Sequence, residues 1–361
     1  FIESVWYRLF FDIPNKWLEG RILLHSGAVD YETAVWVNGR QVGCHRGGFT
    51  PFTCDITNAA KDNENELVVW AQDECRSGLQ PTGKQSHRFN SYGCFYTRVT
   101  GIWQTVWVES APRTFIKAFR LTTDPYDGRV LIRVQVEKPS DKYEMGITAY
   151  AKRRRVAEVK VASSGPIAET MLTVPNPRMW SPEDPYLYDL TLQLTDSNGQ
   201  VDKVNSYFGL REIHIVDNRI LLNNQTRFLR LVLDQGFYPD GIYTARSDED
   251  LKRDIEISQA MGFDGARLHQ KVFEPRFLYW ADKLGYLVAG EFGDWGANLS
   301  KSEVRDAMLD EWFEVLQRDF NHPCIILWTP FNERIFPVKD PCIDLFARIV
   351  SLTRLFDPSR P

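Results

Sequence analysis

Alternating apolar and polar residues over the first 110 positions predict a unit built from β-strands. Residues 21–43 read RILLHSGAVDYETAVWVNGRQVG, in which side chains of opposite character alternate up to Asn38-Gly39. An Asn-Gly pair between two alternating runs is a strong signal for a tight β-hairpin. Further strands are predicted for ELVVWAQ (66–72) and IWQTVWVE (102–109).

A long polar segment separates these last two strands. Residues 73–93 read DECRSGLQPTGKQSHRFNSYG, which is too long for a simple connection between strands. Loops of this length inside a compact domain are often functional, and a disordered surface excursion is the alternative.

The next hundred residues repeat the all-β pattern. Short alternating runs at sandwich-like spacing include RVLIRVQVE (129–137), MGITAYAK (145–152), YLYDLTLQL (186–194) and SYFGLREIHIV (206–216). No group of titratable residues in 111–215 suggests chemistry, so we interpret this part as a spacer domain.

After Asn218 the period of the pattern changes from that of strands to an alternation of strands and helices. Residues 247–262 predict a helix that Ser247 caps and Gly262 ends, with Leu251, Ile255, Ile257 and Met261 on one apolar arc. Three more strand–helix pairs follow with mostly short connections. Four (βα) units in a row predict a parallel sheet or barrel.

Polar residues stand at the carboxyl end of each of these four predicted strands. They are Asp234-Gln235, Arg267-His269-Gln270, Glu291 and Asn332-Glu333. A single glutamate at a strand end is usually a salt-bridge partner or a helix cap. In barrels, however, this end of the strands carries the active site, and four polar ends in register favour a functional role for Glu333.

Composition and charge exclude several classes of protein. A chain of 361 residues predicts two or three domains, and its net charge of −5 with one short basic run at 151–155 argues against nucleic-acid binding. No apolar run is long enough to span a membrane. The six cysteines form no CxxC pair, so we expect free thiols and no metal site, with a disulfide among the first four left open. The opening without Met suggests a removed N-terminus, which leaves a cytoplasmic or a periplasmic/secreted location open.

Several long motifs resemble glycoside hydrolase family 2, the β-galactosidase and β-glucuronidase family. The resemblance rests on LLHSGAVDYETAVWVNGRQVGCHRGGFTPFTCDIT, YTRVTGIWQTVWVE, WSPEDPYLYDLTLQL through FGLREI, and NHPCIILWTPFNE. These motifs follow one another in the family's order along essentially the whole chain. The resemblance implies a multidomain protein of the β and α/β classes: a jelly-roll β-sandwich (1–110), an immunoglobulin-like β-sandwich (111–215) and the first half of a (β/α)8 TIM barrel (216–361).

The resemblance also implies an activity. Members of the family are retaining exo-β-glycosidases that hydrolyse terminal β-linked sugars with two carboxylates and no organic cofactor. Glu333 matches the general acid/base, Asn332 matches an amide that contacts the sugar's 2-hydroxyl, and Arg267 matches an arginine that supports the carboxylates. We expect the apolar run IILWTPF to raise the pKa of Glu333, as a general acid requires.

The chain departs from the family pattern at the first two barrel strands. Many members read Gly-Val-Asn-x-His after strand one, whereas Leu233 and Gln235 stand here at the Asn and His positions. After strand two, His269 and Gln270 replace a Ser-His pair. The sugar pocket is therefore expected to differ from that of the best-known galactosidases, and the sugar and its linkage are not predicted.

The family's nucleophilic glutamate follows a later barrel strand, so we expect it beyond residue 361. Residues 216–361 are fewer than the roughly 250 of a typical barrel. Three hypotheses follow: a piece of a longer glycosidase, a non-catalytic carbohydrate-binding protein, or a half that a second polypeptide complements. The expected partners are a carbohydrate substrate and the remainder of the same polypeptide, with a homo-oligomer left open.

Three further groups of side chains are candidate substrate contacts. The resemblance suggests that the 73–93 loop reaches the barrel mouth, where Gln80, Lys84 and Gln85 could touch the substrate. Trp295 and Trp328 are candidate stacking platforms for a sugar ring, because sugars present apolar C–H faces to aromatic rings. Trp328 lies inside a strand, and packing in the core is the alternative for it.

Overall fold

The computed structural model describes residues 1–139, 142–334 and 342–361. The first hundred or so residues fold into two facing antiparallel sheets. The strands are β1 (Ser4–Phe11), β2 (Arg21–Ser26), β3 (Val29–Asp30), β4 (Glu32–Val37), β5 (Arg40–Arg46), β6 (Phe52–Asp55), β7 (Asn65–Gln72), β8 (Gly101–Ile102) and β9 (Val106–Ala111), with a 3-10 helix at Asn15–Trp17.

The order β1-β7-β4-β5 faces β6-β2-β9, and β3 pairs with β8. Alternate residues such as Ile22, Val35 and Val69 fill the space between the two larger sheets. Asn38 and Gly39 both have positive φ, 51° and 78°, as the predicted hairpin turn between β4 and β5 requires.

A second sandwich follows, made of seven strands. They are β10 (Phe115–Asp124), β11 (Arg129–Glu137), β12 (Tyr143–Ala151), β13 (Arg154–Ser163), β14 (Ile167–Thr173), β15 (Tyr188–Asp196) and β16 (Val201–Phe208). The sheets β10-β11-β14 and β13-β12-β15-β16 enclose a core of their own. The single strand predicted for 206–216 is in fact the end of β16 and a new strand, β17 (Ile213–Val216), which forms a small sheet with β18 (Arg219–Leu222) and β19 (Gln225–Thr226).

The third part alternates strands and helices as predicted. Its elements are β20 (Leu231–Asp234), α1 (Asp248–Ala260), β21 (Gly265–Leu268), α2 (Pro275–Leu284), β22 (Leu287–Glu291), α3 (Ser302–Asp319), β23 (Ile325–Thr329) and α4 (Cys342–Phe356). The four strands are parallel and lie in chain order, β20-β21-β22-β23, which is the first half of a (β/α)8 barrel.

Helix α1 begins as the sequence predicts but buries only half of the predicted apolar arc. The Ser247 hydroxyl accepts a hydrogen bond from the Asp250 backbone N–H, the usual N-cap arrangement. Leu251 and Ile255 are buried against the sheet, whereas Ile257 and Met261 are exposed. Only the first pair of the predicted apolar arc is therefore buried.

The first sandwich docks onto the barrel through a buried carboxylate on α3. Glu311 accepts the Phe49 backbone N–H at 2.9 Å, and its second oxygen is buried without a hydrogen-bond partner in the described residues. Neighbouring Glu314 accepts the Thr50 hydroxyl at 2.6 Å. Burial, with Glu314 nearby, raises the pKa of Glu311 from 4.5 to about 8.

This carboxylate predicts a loss of stability as the pH rises. The folded protein holds a proton on Glu311 that the unfolded chain releases above pH 4.5, so stability falls between about pH 5 and pH 8, by at most about 1.4 kcal/mol per pH unit. Thermal melts across this range should show the fall, and Glu311→Gln should flatten it. The exposed Glu303 on the same helix supplies the control Glu303→Gln, and an unchanged slope in Glu311→Gln would contradict the prediction.

A second buried carboxylate, Asp282, joins the barrel base to the second sandwich. Its side chain accepts hydrogen bonds from the Tyr207 hydroxyl at 2.8 Å, His322 Nδ1 at 2.6 Å and the Cys324 backbone N–H at 2.8 Å. Its backbone oxygen accepts the Trp180 indole N–H. Asp282, His322 and Cys324 form the one group with metal-ligand spacing found in the described ranges.

The cysteines and the helices add two observations. Cys44, Cys54, Cys75, Cys94 and Cys324 are free thiols, of which Cys54 and Cys324 are buried and Cys44 and Cys94 are exposed. Across the described ranges, every helix is too short or too polar to cross a membrane.

Candidate active site

The polar ends of β21 and β22 meet on the inner face of the half barrel, around Glu291. Arg267 pairs with Ala289 in the sheet, so its side chain and that of Glu291 point to the same face. Arg267 Nε donates to one Glu291 oxygen at 2.5 Å. The other oxygen accepts from His269 Nδ1 at 2.9 Å and from the Gln270 backbone N–H at 3.0 Å. Glu291 is 2% exposed, so the structure places it as a buried support whose oxygens are both occupied.

Asn332 is held next to this network with one donor left over. Its side-chain oxygen accepts from Arg267 Nη2 at 2.6 Å, and its backbone oxygen accepts from the Trp295 indole N–H at 3.1 Å. The side-chain Nδ2 is buried and has no acceptor among the described residues. A buried donor without a partner is costly, so Nδ2 is available to a ligand that brings an oxygen.

Asp294 and Arg334 complete the network, and neither was among the residues predicted from the sequence. Asp294 accepts from Gln270 Nε2 at 2.6 Å, from the Asn332 backbone N–H at 3.1 Å and from Arg334 Nε at 2.7 Å. Burial raises the pKa of Asp294 and the Arg334 pair opposes this shift. The Gln270 side-chain oxygen accepts a hydrogen bond from the Trp295 backbone N–H. Both ends of the Gln270 amide are thus bonded within the protein, so this side chain connects the loops and does not face a ligand.

Glu333, the predicted general acid/base, has a free carboxylate at this rim. It is exposed, and no hydrogen bond or ion pair joins it to another residue in the described ranges. The prediction that the run IILWTPF encloses the Glu333 carboxylate in an apolar setting is therefore wrong for the described residues. Glu333 and Gln270 both have left-handed backbones, with φ of 50° and 56°. Such conformations cost about 1–3 kcal/mol each in non-glycine residues and persist where the surroundings impose them, often at functional sites.

The 73–93 loop reaches the barrel rim, as the resemblance implied. The backbone N–H groups of Thr82 and Gly83 donate to the Trp295 oxygen at 2.7 and 3.2 Å. Gly83 has φ of +55°, and a Cβ there would overlap the Gln270 carbonyl oxygen, so the close approach requires glycine. The ammonium of Lys84 lies 3.9 Å from the ring centre of half-buried Trp295.

Two other residues of this loop are placed differently from expectation. The Gln80 amide donates to Asp73 at 2.7 Å. The Gln85 amide donates to Asp30 at 2.8 Å and accepts the Val99 N–H at 2.7 Å. Both side chains brace the first sandwich instead of reaching a substrate.

The remaining candidates do not join the Glu291 network through their side chains. Asp234 and Gln235 line a separate cleft of about 510 Å³ beside α1, and burial raises the pKa of Asp234. The Gln235 side-chain oxygen is buried without a donor among the described residues. Trp328 is corrected to a core residue: its ring packs edge-on against Trp312, and its N–H donates to Asp357 at 2.8 Å.

Relatives of known activity match along almost the whole chain. A β-glucuronidase from Paenibacillus borealis is 25% identical over all of this chain and 63% of its own length. A β-galactosidase from Thermoanaerobacter pseudethanolicus is 24% identical over 99% of this chain and 48% of its own length. The chain therefore spans about half to two thirds of the length of these relatives.

Solved structures show the same fold. A β-glucuronidase from Ruminococcus gnavus in complex with D-glucuronic acid superposes with a TM-score of 0.86 at 25% identity, over 99% of this chain and 62% of that one. A β-D-glucuronidase of Dictyoglomus thermophilum superposes with a TM-score of 0.85 at 23% identity, over all of this chain and 65% of that one, which bears on the fold alone.

Three family models match successive parts of the chain. The sugar binding domain of glycosyl hydrolases family 2 matches residues 2–82, the central family 2 domain matches 114–211, and the family 2 TIM barrel domain matches 213–361. The three domains come in order and leave few residues unmatched, so this chain belongs to family 2 of the glycosyl hydrolases.

Proposed function

We propose that the full-length protein is a retaining exo-β-glycosidase, with Glu333 as general acid/base and a nucleophilic carboxylate outside the present residues. The observation that carries the proposal is the Glu333 carboxylate, which has no partner among the described residues, beside an Asn332 that three hydrogen bonds hold in place. Relatives named β-glucuronidase and β-galactosidase support the reaction class.

In this proposal Glu333 transfers the proton, while Asn332 and Arg267 bind the sugar and hold the site in place. Glu333 protonates the departing glycosidic oxygen in the first step and takes a proton from water in the second. The Asn332 Nδ2 donor is suited to a sugar hydroxyl, because it is buried and has no acceptor of its own in the described residues. Arg267 holds Asn332 and Glu291 together and places a positive charge beside the Glu291 carboxylate.

Glu291 is a poor choice for the nucleophile. One of its oxygens accepts from Arg267, and the other accepts from His269 and Gln270. A nucleophile must present a free lone pair to the anomeric carbon about 5–5.5 Å from the acid/base carboxyl. The second carboxylate is thus assigned to the part of the barrel that the longer relatives have and these residues do not include.

The stereochemistry of the product tests this proposal. An aryl β-glycoside incubated with the full-length protein should first release the β-anomer of the sugar, because two displacements retain configuration. Proton NMR in the first minutes separates this product from the α-anomer before mutarotation mixes them. Initial release of the α-anomer, or no hydrolysis of aryl β-glucuronides, β-galactosides and β-glucosides, would contradict the proposal.

A further inference from the structure

The carboxylate of Asp294 holds the chain on both sides of the proposed acid/base. One of its oxygens accepts the backbone N–H of Asn332 at 3.1 Å, and the other accepts Nε of Arg334 at 2.7 Å. Asp294 and Asn332 are buried, whereas Glu333, between the two bonded residues, is exposed. We call Asp294 and its bonds to Asn332 and Arg334 the Asp294 clamp.

Asp294 is itself fixed to a neighbouring strand end. It lies three residues after β22, and the oxygen that binds Asn332 also accepts Gln270 Nε2 at 2.6 Å, just after β21. Arg334 donates further hydrogen bonds to the backbone oxygens of Asp294 and Ala297. One buried carboxylate thus connects the chain that leaves β23 to the ends of β21 and β22. Groups supported by the strands of a fold are held more precisely than groups on loops alone.

The Asp294 clamp accounts for the backbone conformation of Glu333. Its φ of 50° lies in the left-handed region, which residues other than glycine seldom adopt. The residues before and after Glu333 both bond to one carboxylate, and these bonds bend the short chain between them. Conformations of this kind persist where the surroundings impose them. Without the clamp, the backbone of Glu333 would relax and its carboxyl group would move.

We propose that Asp294 is a positioning residue for the reaction, which orients the Glu333 carboxyl group toward the glycosidic oxygen by holding Asn332 and Arg334. This inference rests on the proposed glycosidase function and adds a residue to it. A general acid must lie within hydrogen-bond distance of the oxygen that it protonates, and a displacement of about 1 Å can cost about 10²-fold in rate. Asp294 is 0% exposed, so it acts through Glu333 and does not touch the sugar.

The test breaks the Asp294 clamp in the full-length protein without leaving a cavity. Asp294→Asn keeps the size of the side chain, but its amide nitrogen cannot accept a hydrogen bond, so one side of the clamp loses its acceptor. The substrates are aryl β-glucuronides of graded leaving-group pKa, or aryl β-galactosides if these are hydrolysed faster. We expect kcat/KM to fall by about 10- to 100-fold for the poorest leaving group. The loss should shrink as the leaving group becomes more acidic, because such a group departs without a proton from Glu333.

A double mutant separates positioning from an independent effect. If Asp294 acts through Glu333, adding Asp294→Asn to Glu333→Gln should lower kcat/KM for the poorest leaving group by no more than about twofold further. The matched control is Asp319→Asn. Asp319 forms a buried ion pair with Arg318 on α3, outside the candidate site. Its loss should leave the dependence of kcat/KM on the leaving group as it is in the parent protein.

Two results would overturn this inference and leave the glycosidase proposal intact. They are an equal loss for every leaving group in Asp294→Asn, which would assign Asp294 to stability alone, and a double mutant in which the two losses multiply. If Glu333→Gln showed no dependence on the leaving group, the acid/base assignment would fail and the inference with it. Arg334→Gln cuts one side of the clamp at a half-buried position and should show the same trend with a smaller loss. It decides by the same criteria if Asp294→Asn does not fold.

Discussion

Glu333→Gln in the full-length protein is expected to lower kcat/KM for an unactivated β-glycoside by about 10²- to 10⁴-fold. Glutamine fills the same space but cannot donate a proton to the departing oxygen. The loss should shrink as the leaving group becomes more acidic, because such a group departs without protonation. Aryl β-glycosides of graded leaving-group pKa, assayed with both proteins, measure this dependence directly.

A matched control separates this effect from a general loss of surface charge. Glu256 is also an exposed glutamate, and it pairs with Lys252 one turn away on α1, outside the strand-end site. Glu256→Gln should leave kcat/KM unchanged for every leaving group. A Glu333→Gln protein as fast as the parent on activated and unactivated glycosides alike would remove Glu333 from the mechanism.

The largest expected effect on stability comes from Asp282→Ala. The change removes the acceptor for Tyr207, His322 and the Cys324 N–H, all at a buried junction of two domains. A buried donor that loses its acceptor costs about 1–3 kcal/mol, and three such donors, which are not fully additive, should together cost about 3–5 kcal/mol. At roughly 2–4 °C per kcal/mol for a unit of this size, the melting temperature should fall by about 6–20 °C.

The control for this prediction is an aspartate whose ion pair is exposed to solvent. Asp344 contacts Arg348 one turn later on α4, and both side chains are well exposed. Asp344→Ala should shift the melting temperature by about 2 °C or less, since exposed pairs contribute 0–1 kcal/mol. Differential scanning calorimetry of both variants gives the comparison. Equal shifts would show that the Asp282 network adds nothing beyond an ordinary surface pair.

The sequence predicts the architecture well because the relevant signals are local. The change from a period of two residues to alternating strands and helices marks the barrel, and polar strand ends mark its rim. The rule that polar residues at strand ends form the rim predicts that Arg267, Glu291 and Asn332 lie close together. In the structure, Arg267 donates hydrogen bonds to both Glu291 and Asn332. Asp294 obeys the same rule three residues after Glu291, so it could have been predicted by extending each strand end into the loop.

Other features depend on geometry that one strand does not encode. Trp328 lies one residue from Leu327, which shares the inner face with Glu291, but its own side chain points to the helices. Which face of the sheet Trp328 occupies depends on the register between β22 and β23, and this register shifts after Val288. Likewise, Gln80 and Gln85 have the same chemistry as substrate contacts, and only the fold shows that Asp73 and Asp30 occupy their amides.

The approach of Gly83 to Gln270 bears on the exchange of domains between family members. The contact joins a loop of the first sandwich to the barrel so closely that no side chain fits between them, and Trp295 receives two N–H groups from the same loop. A chimera that joins this sandwich to a relative's barrel would bring together two surfaces without this fit. Successful recombination should therefore require that residues 78–85 and 293–298 be transplanted together with Gln270.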